Sequence, residues 1–372
     1  MTTSASTKLQ AGQRTFFQKH ANILVVYGLI ILLLTIGTLS SERFFTLRNL
    51  TNVARQAAYL GTAALGEMLV ILTAGIDLSI GSLVKLCVLV SAILMDGDPA
   101  NVWFAVMLTL GLGMLVGLTH AFLINELNIP PFVVTLSSFI ILRGIALTIT
   151  TKPIGRSSRG FLLLYSEKIG GIPIIVYFFV FLIILVILLL RYTVFGKHIY
   201  ATGGNLQVAQ LSGISVKLVR YGVYGLCSTL AAATGLLWLM RMGVGDPVIG
   251  DGLELKAITA VVIGGTSLFG GRGSVIGVLG GVLLLSVTAN LLVALGISQF
   301  IQGLIQGIII VAAVALYKQN DQESAFPILK AGWGERLIAG KHLQPVQHAL
   351  FHPSTKFGDD LEAVRQTLFS QS

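Results

Sequence analysis

Apolar residues along this chain recur in long, nearly unbroken runs, not in the alternation of a strand or the single stripe of a surface helix. The runs lie near residues 22–40, 55–73, 79–95, 102–124, 132–150, 174–190, 219–240, 256–270, 275–295 and 299–317, each about the length of a bilayer crossing or slightly less. This pattern predicts an all-α, polytopic transmembrane helical bundle of about ten spans. The shorter pieces around Asp77 and Gly270 are candidates for half-helices that meet inside the membrane. Residues 1–20 then form an N-terminal tail, 21–318 the membrane domain, and 319–372 a polar tail of mixed charge and little periodicity, for which disorder is the expectation.

The first run, Ile23 to Leu39, follows Lys8, Arg14 and Lys19 and so has the charged start of a signal peptide. It is too long for a signal core and leads into Ser40-Ser41-Glu42-Arg43 without a small-x-small site, so it is expected to stay as a first span. Composition agrees with the pattern: 54% hydrophobic residues, 11% charged residues, 42 glycines and a mean hydropathy of +0.85. The formal charge of +9 comes from basic residues scattered over short loops and tails, with no basic stripe interleaved with aromatics, which argues against nucleic acid. Counting basic residues on either side gives nine against eight, which does not orient the bundle.

One polar interruption stands out. Gly75-Ile76-Asp77-Leu78-Ser79-Ile80-Gly81-Ser82 puts an aspartate, two serines and two glycines between membrane-grade runs. An unpaired backbone group in hydrocarbon costs several kcal/mol and a central Asp roughly 2.5–3.5 kcal/mol, so such a break is expected where protein or a wet path surrounds it. Asp77 has two open readings: a cap for the following span, with Gly75 and Gly81 permitting the break, or a pathway residue offering acceptors alongside Ser79 and Ser82. Glu67 and Lys85 also fall within spans, and a local network of Glu67, Asp77 and Lys85 is one expectation, snorkelling of Lys85 the other.

The longest polar stretch inside the bundle runs from Arg191 to Lys217, with a loop over about residues 196–217. It reads as a loop holding one short helix, with Asn205 suited to an N-cap and Gly213 to a left-handed position after the end, leaving about seven residues or roughly 10 Å. Its apolar positions Leu206, Val208, Ala209 and Leu211 are explained by docking to a soluble partner, or by packing back on the bundle.

The stretch Gly264 to Ser274 has glycines at the spacing of a phosphate loop but lacks the Lys and hydroxyl residue that must follow. A tight turn between closely packed helices is the better account, and the pairs Gly113 and Gly117, Gly277 and Gly281, and Gly303 and Gly307 fit close helix approach. Cys87 and Cys227 lie in apolar spans and form neither a disulfide framework nor a metal site. No catalytic or metal-binding constellation is present in the sequence, so an enzyme is not expected.

The order of three motifs resembles the permease subunits of bacterial ribose-type sugar ABC importers, over about residues 20–317. They are the segment Gly66-Glu67-Met68-Leu69-Val70-Ile71-Leu72-Thr73-Ala74-Gly75-Ile76-Asp77-Leu78-Ser79-Ile80-Gly81-Ser82, the segment Phe195 to Asn205 with Leu211-Ser212-Gly213-Ile214, and Ala260 to Leu268 with Gly270-Gly271-Arg272-Gly273. The resemblance implies an importer permease fold of ten helices per subunit, homodimeric or heterodimeric, in the bacterial inner membrane with both termini cytoplasmic. It also implies a cytoplasmic ATPase carrying ATP and Mg, with no cofactor bound by this chain, and a periplasmic sugar-binding protein. The stretch Gly203, Gly204, Asn205, Ala209, Leu211, Ser212 and Gly213 then corresponds to the helix that couples to the ATPase. The break residues Gly75, Asp77, Ser79, Gly81 and Ser82, with Glu67 and Lys85, are the expected translocation path. Leu206 and Gln207 depart from the acidic residue and alanine common in the family after the Asn. The function expected is import of a sugar or sugar-like polyol; the alternative is a secondary transporter or channel for a small polar solute.

Overall fold

The computed structural model describes residues 24–298, 301–305 and 307–308. The N-terminal tail, most of the tenth run and the 319–372 tail lie outside the described residues.

The described chain is helical almost throughout. Helix α1 spans Leu24–Ser40, α2 Leu47–Leu72, α3 Ile80–Met95, α4 Val102–Asn125, α5 Pro131–Ile149, α6 Arg159–Ser166 and α7 Ile174–Tyr192. Then come α8 Val194–Gly204, α9 Leu206–Leu211, α10 Val216–Met242, α11 Leu253–Ile263 and α12 Val275–Ala294. Five of these, α4 (preceded by a short 3-10 turn), α5, α7, α10 and α12, are long and apolar enough to cross a membrane. Local chemistry sets the boundaries. Thr46 and Ser274 accept backbone N–H bonds at the starts of α2 and α12, Pro131 occupies the first position of α5, and Gly243 closes α10 in the left-handed conformation.

The two long helices of the centre differ from the periphery in what they bury. In α10 and α12, 72% and 78% of the span window is enclosed by protein, against 22%, 22% and 28% in α4, α5 and α7. Apolar side chains on the outer helices, such as Trp103, Phe104 and Leu115 of α4, therefore face outward, as lipid contact requires. Helix α10 packs most extensively on α4, and then on α2 and α3. Two of the glycine pairs mark close helix approach: a Cβ on Gly117 would lie 2.2 Å from the Tyr224 carbonyl oxygen, where α4 meets α10, and one on Gly281 would lie 2.0 Å from that of Ala260, where α12 meets α11. Gly303 and Gly307 have nothing within 4 Å among the described residues, so that pair makes no such contact with them.

Helix α11 has 11 residues, about 16 Å at 1.5 Å per residue, which is half a bilayer. It ends at the turn that leads into α12, giving the expected half-helix before Gly270. A feature not foreseen is a two-strand hairpin, β1 Lys168–Ile169 and β2 Ile172–Pro173, joined by Gly170 and Gly171 at φ +58° and +84°. Two successive positive-φ residues are what a tight right-twisting hairpin turn demands.

Candidate functional site

The break between α2 and α3 is a closed polar knot. Helix α2 ends at Leu72, the chain reverses through Thr73 and Ala74, and Asp77 is fully buried. Its Oδ1 accepts the Ser79 backbone N–H at 2.9 Å and the Ser79 hydroxyl at 2.6 Å. Asp77 thus caps the turn that feeds α3, although the residue at the helix's own N-cap position is Ser79, whose side chain makes no capping bond. The Asp77 N–H donates to Glu67 Oε1 at 3.2 Å, the Cys227 thiol approaches Asp77 Oδ2 at 3.7 Å, and His120 Nδ1 lies 3.8 Å from the same oxygen. Thr135 of α5 donates its hydroxyl hydrogen to the Ile76 carbonyl at 3.1 Å. Five helices, α2, α3, α4, α5 and α10, therefore converge on one irregular segment, which is how the polar backbone is kept from lipid.

Lys85 belongs to a different cluster. Its ammonium pairs with Asp251 at 2.9 Å and also donates to the Pro247 carbonyl. The expected three-membered network of Glu67, Asp77 and Lys85 is thereby divided: the two carboxylates share a site, while the lysine ties α3 to the segment before α11. Snorkelling does not describe it either, because Lys85 is 2% exposed. Gly81 supports the same contact, since a Cβ there would meet the Glu254 carboxylate and lie 2.4 Å from the Gly250 carbonyl oxygen. Glu67, Asp77, Ser79, Ser82 and Lys85 are all buried, so none of these side chains reaches solvent in this conformation.

The 196–217 stretch contains two helices, α8 and α9, where one was expected. Asn205 caps α9 by accepting the Val208 N–H at 3.0 Å, and Gly213 takes φ +80°. Leu206, Val208 and Leu211 point outward, Leu211 at 88% exposed, and Gly204, Asn205, Ser212 and Gly213 are exposed as well. Ala209, expected at a partner surface, is instead buried within the chain, which corrects its assignment: its methyl anchors α9 to the bundle. Gly203 is buried for another reason. It abuts the end of α2 and the glycine turn before α12, where the Gly271 N–H donates to the Leu72 carbonyl at 3.0 Å. The stretch expected to couple to a partner therefore touches the residue that immediately precedes the break.

Sequence reasoning did not foresee His120, or a cavity of about 670 Å³ between α2, α10, α11 and α12. Tyr59 and Trp238 stack in its wall with ring centres 4.9 Å apart, and the Arg241 guanidinium lies 5.0 Å from the Trp238 ring centre. His120 sits in an apolar run beside only Thr119, and the cavity's wall is gathered from five distant segments, the fifth at residues 302–307.

A family model described as branched-chain amino acid transport system / permease component matches residues 49–314. The chain is 36% identical to the ribose import permease of Escherichia coli K12 over 316 residues, covering 83% of this chain and 98% of that one. It is 37% identical to the ribose import permease of Bacillus subtilis 168 over 298 residues, 79% and 91% of the two chains. With the D-allose transport system permease of Escherichia coli K12 it shares 34% over 316 residues, 84% and 95%. No solved structure matches. The chain belongs to the branched-chain amino acid transport system permease-component family and is a translocation subunit, not an enzyme.

Proposed function

We propose that this chain is the membrane-spanning permease of an ATP-driven importer for a sugar or sugar-like polyol. The relatives named for ribose and allose, matched over nearly their whole length, support a sugar over the amino acids in the family description. The observation that carries ATP-driven import, as against a secondary transporter or channel, is α9: a capped six-residue helix presenting Leu206, Val208 and Leu211 outward. A membrane protein that works alone has no use for such a protruding apolar surface. On this reading α9 docks on a cytoplasmic ATPase that holds ATP and Mg, both termini are cytoplasmic, and a periplasmic binding protein delivers the sugar to a pair of permease subunits in the inner membrane. The break from Gly75 to Ser82, with Glu67 and Lys85, serves the translocation path as its buried joint, exposed only when α3 and α11 separate.

Reconstitution in proteoliposomes tests this. ATP-dependent uptake of ribose or allose is expected when the chain is combined with its ATPase and binding protein, and no ATP hydrolysis by the chain alone. Gradient-driven uptake by the chain alone would favour the secondary-transporter alternative, and ATP-dependent uptake of leucine in place of either sugar would overturn the sugar assignment.

A further inference from the structure

The cavity between α2, α10, α11, α12 and the 302–307 segment sets a polar cluster among apolar side chains such as Leu60, Leu253 and Leu285. Gln56, Tyr59, Trp238, Arg241, Lys256 and Ser286 all face it, and no Asp or Glu is among its lining residues that are described. The Ser286 hydroxyl, on a residue 3% exposed, and the Trp238 indole nitrogen have no hydrogen-bond partner among the described residues. Arg241 forms no ion pair among the described residues; its guanidinium rests on the Tyr59 and Trp238 rings, at 5.7 and 5.0 Å from their centres. Donors thus outnumber acceptors around an aromatic wall. A hydrocarbon chain offers those donors nothing, and leaving each one desolvated and unpaired costs about 1–3 kcal/mol. A hydroxylated ring supplies oxygens for the donors and C–H faces for the aromatic wall. The volume of about 670 Å³ lies within the roughly 300–1,000 Å³ of small-molecule sites.

Position agrees with chemistry. Arg241 stands near the C-terminal end of α10, 25 residues and about 38 Å from Val216, which directly follows the α9 stretch. The cavity therefore lies toward the end of the bundle opposite α9, where a sugar would enter if α9 faces the cytoplasm. None of the break residues lines it.

We infer that this cavity is a sugar-binding station on the import path, with Arg241, Trp238, Gln56 and Ser286 as its recognition groups. The inference rests on the sugar-importer reading.

Two measurements test it. In proteoliposomes containing the permease, its ATPase and the binding protein, Arg241→Met and Gln56→Ala are each expected to lower ribose or allose uptake about tenfold, the loss of one strong hydrogen bond. Co-purification with the ATPase checks that each variant folds. Uptake at the wild-type level in both variants overturns the inference. Independently, Ser286→Cys in a chain with Cys87 and Cys227 replaced by serine is expected to react with an aqueous methanethiosulfonate reagent, at a rate that changes with nucleotide state. A thiol that never reacts means that a second copy of the chain or lipid seals the cavity, and also overturns the inference. Wild-type complex that imports neither sugar defeats the sugar reading alone; the thiol measurement needs no substrate and still decides whether the cavity is a wet station.

Discussion

Two adjacent glycines in the stretch proposed to couple to the ATPase carry opposite expectations. A Cβ on Gly203 would lie 1.8 Å from the Leu72 carbonyl oxygen and 2.6 Å from the Gly271 nitrogen, both backbone atoms, whereas a Cβ on Gly204 has nothing within 4 Å. Relief at Gly203 to ordinary contact at 3.4 Å needs a separation of 3.4 − 1.8 = 1.6 Å. That shift threatens the Gly271 N–H bond to Leu72, now 3.0 Å. Overpacking costs about 1–3 kcal/mol and one net hydrogen bond about 0.5–1.5 kcal/mol, so Gly203→Ala is expected to cost about 2–4 kcal/mol. This is less than the ~5–15 kcal/mol that typically holds a domain folded, so the bundle inserts but α8 disengages from the end of α2. The assay is sugar taken up per ATP hydrolysed in proteoliposomes with ATPase and binding protein. We expect Gly203→Ala to lower that ratio severalfold and Gly204→Ala to leave it at the wild-type value, with helix propensity favouring alanine by up to about 1 kcal/mol. Wild-type coupling in Gly203→Ala, or equal damage in both variants, refutes close backbone contact as the reason for the glycine.

Asp77→Asn keeps an acceptor for the Ser79 N–H and is expected to retain most uptake, while Asp77→Ala strands that buried donor at a cost of about 1–3 kcal/mol and abolishes it; an Asn variant as inactive as Ala would show that the charge itself is needed. Leu211→Asp is expected to prevent ATPase co-purification without lowering the melting temperature, whereas Ala209→Leu, at a buried position, lowers it; a melting loss at Leu211 would refute the outward placement of that residue. At the Lys85 pair, Asp251→Ala leaves an ammonium buried with only a carbonyl partner, while Lys85→Met leaves a half-exposed carboxylate that water can solvate. Asp251→Ala should therefore melt lower than Lys85→Met in detergent, and the reverse order counts against the burial of Lys85.

What the sequence made legible was whatever violates a membrane pattern locally. Asp77 and its glycines interrupt an apolar run, Asn205 and Gly213 bracket a polar one, and each marks a real turn or cap in the structure. Orientation around a helix is harder to read in a six-residue helix, which is why Ala209 turned inward while Leu211 turned outward. Partners distant in sequence were not legible at all. His120 faces Asp77 from an apolar run where only Thr119 beside it is polar, and Lys85 meets Asp251 across 166 positions because α3 and the 243–252 segment pack together, a juxtaposition no local rule encodes. Glycine pairs lie between these cases: spacing located the close contacts of Gly117 and Gly281, yet the same spacing at Gly303 and Gly307 meets no atom within 4 Å among the described residues.

The placement of Leu72 gives these features a common mechanical meaning. Its carbonyl is the acceptor for Gly271 and the atom nearest to Gly203, and five residues later the chain reaches Asp77. On the importer reading proposed above, a push on α9 would pass through Asn205 into α8, and from the buried Gly203 to the last turn of α2 across backbone-to-backbone contact, which yields far less than side-chain contact. Beyond Leu72 the chain is irregular but repeatedly bonded, by Ala74 to Ile71, Gly75 to Val70, Asp77 to Glu67 and Ser79 to Asp77. A segment so tied moves as a unit with α2, not as a loose loop. Displacing it alters the start of α3, and with it the Lys85 contact to the segment preceding α11. The polar knot at Asp77 then needs no contact with the sugar to be required for transport, because its bonds keep the link between α2 and α3 stiff. That is why the Asn variant, which preserves those bonds, is expected to work.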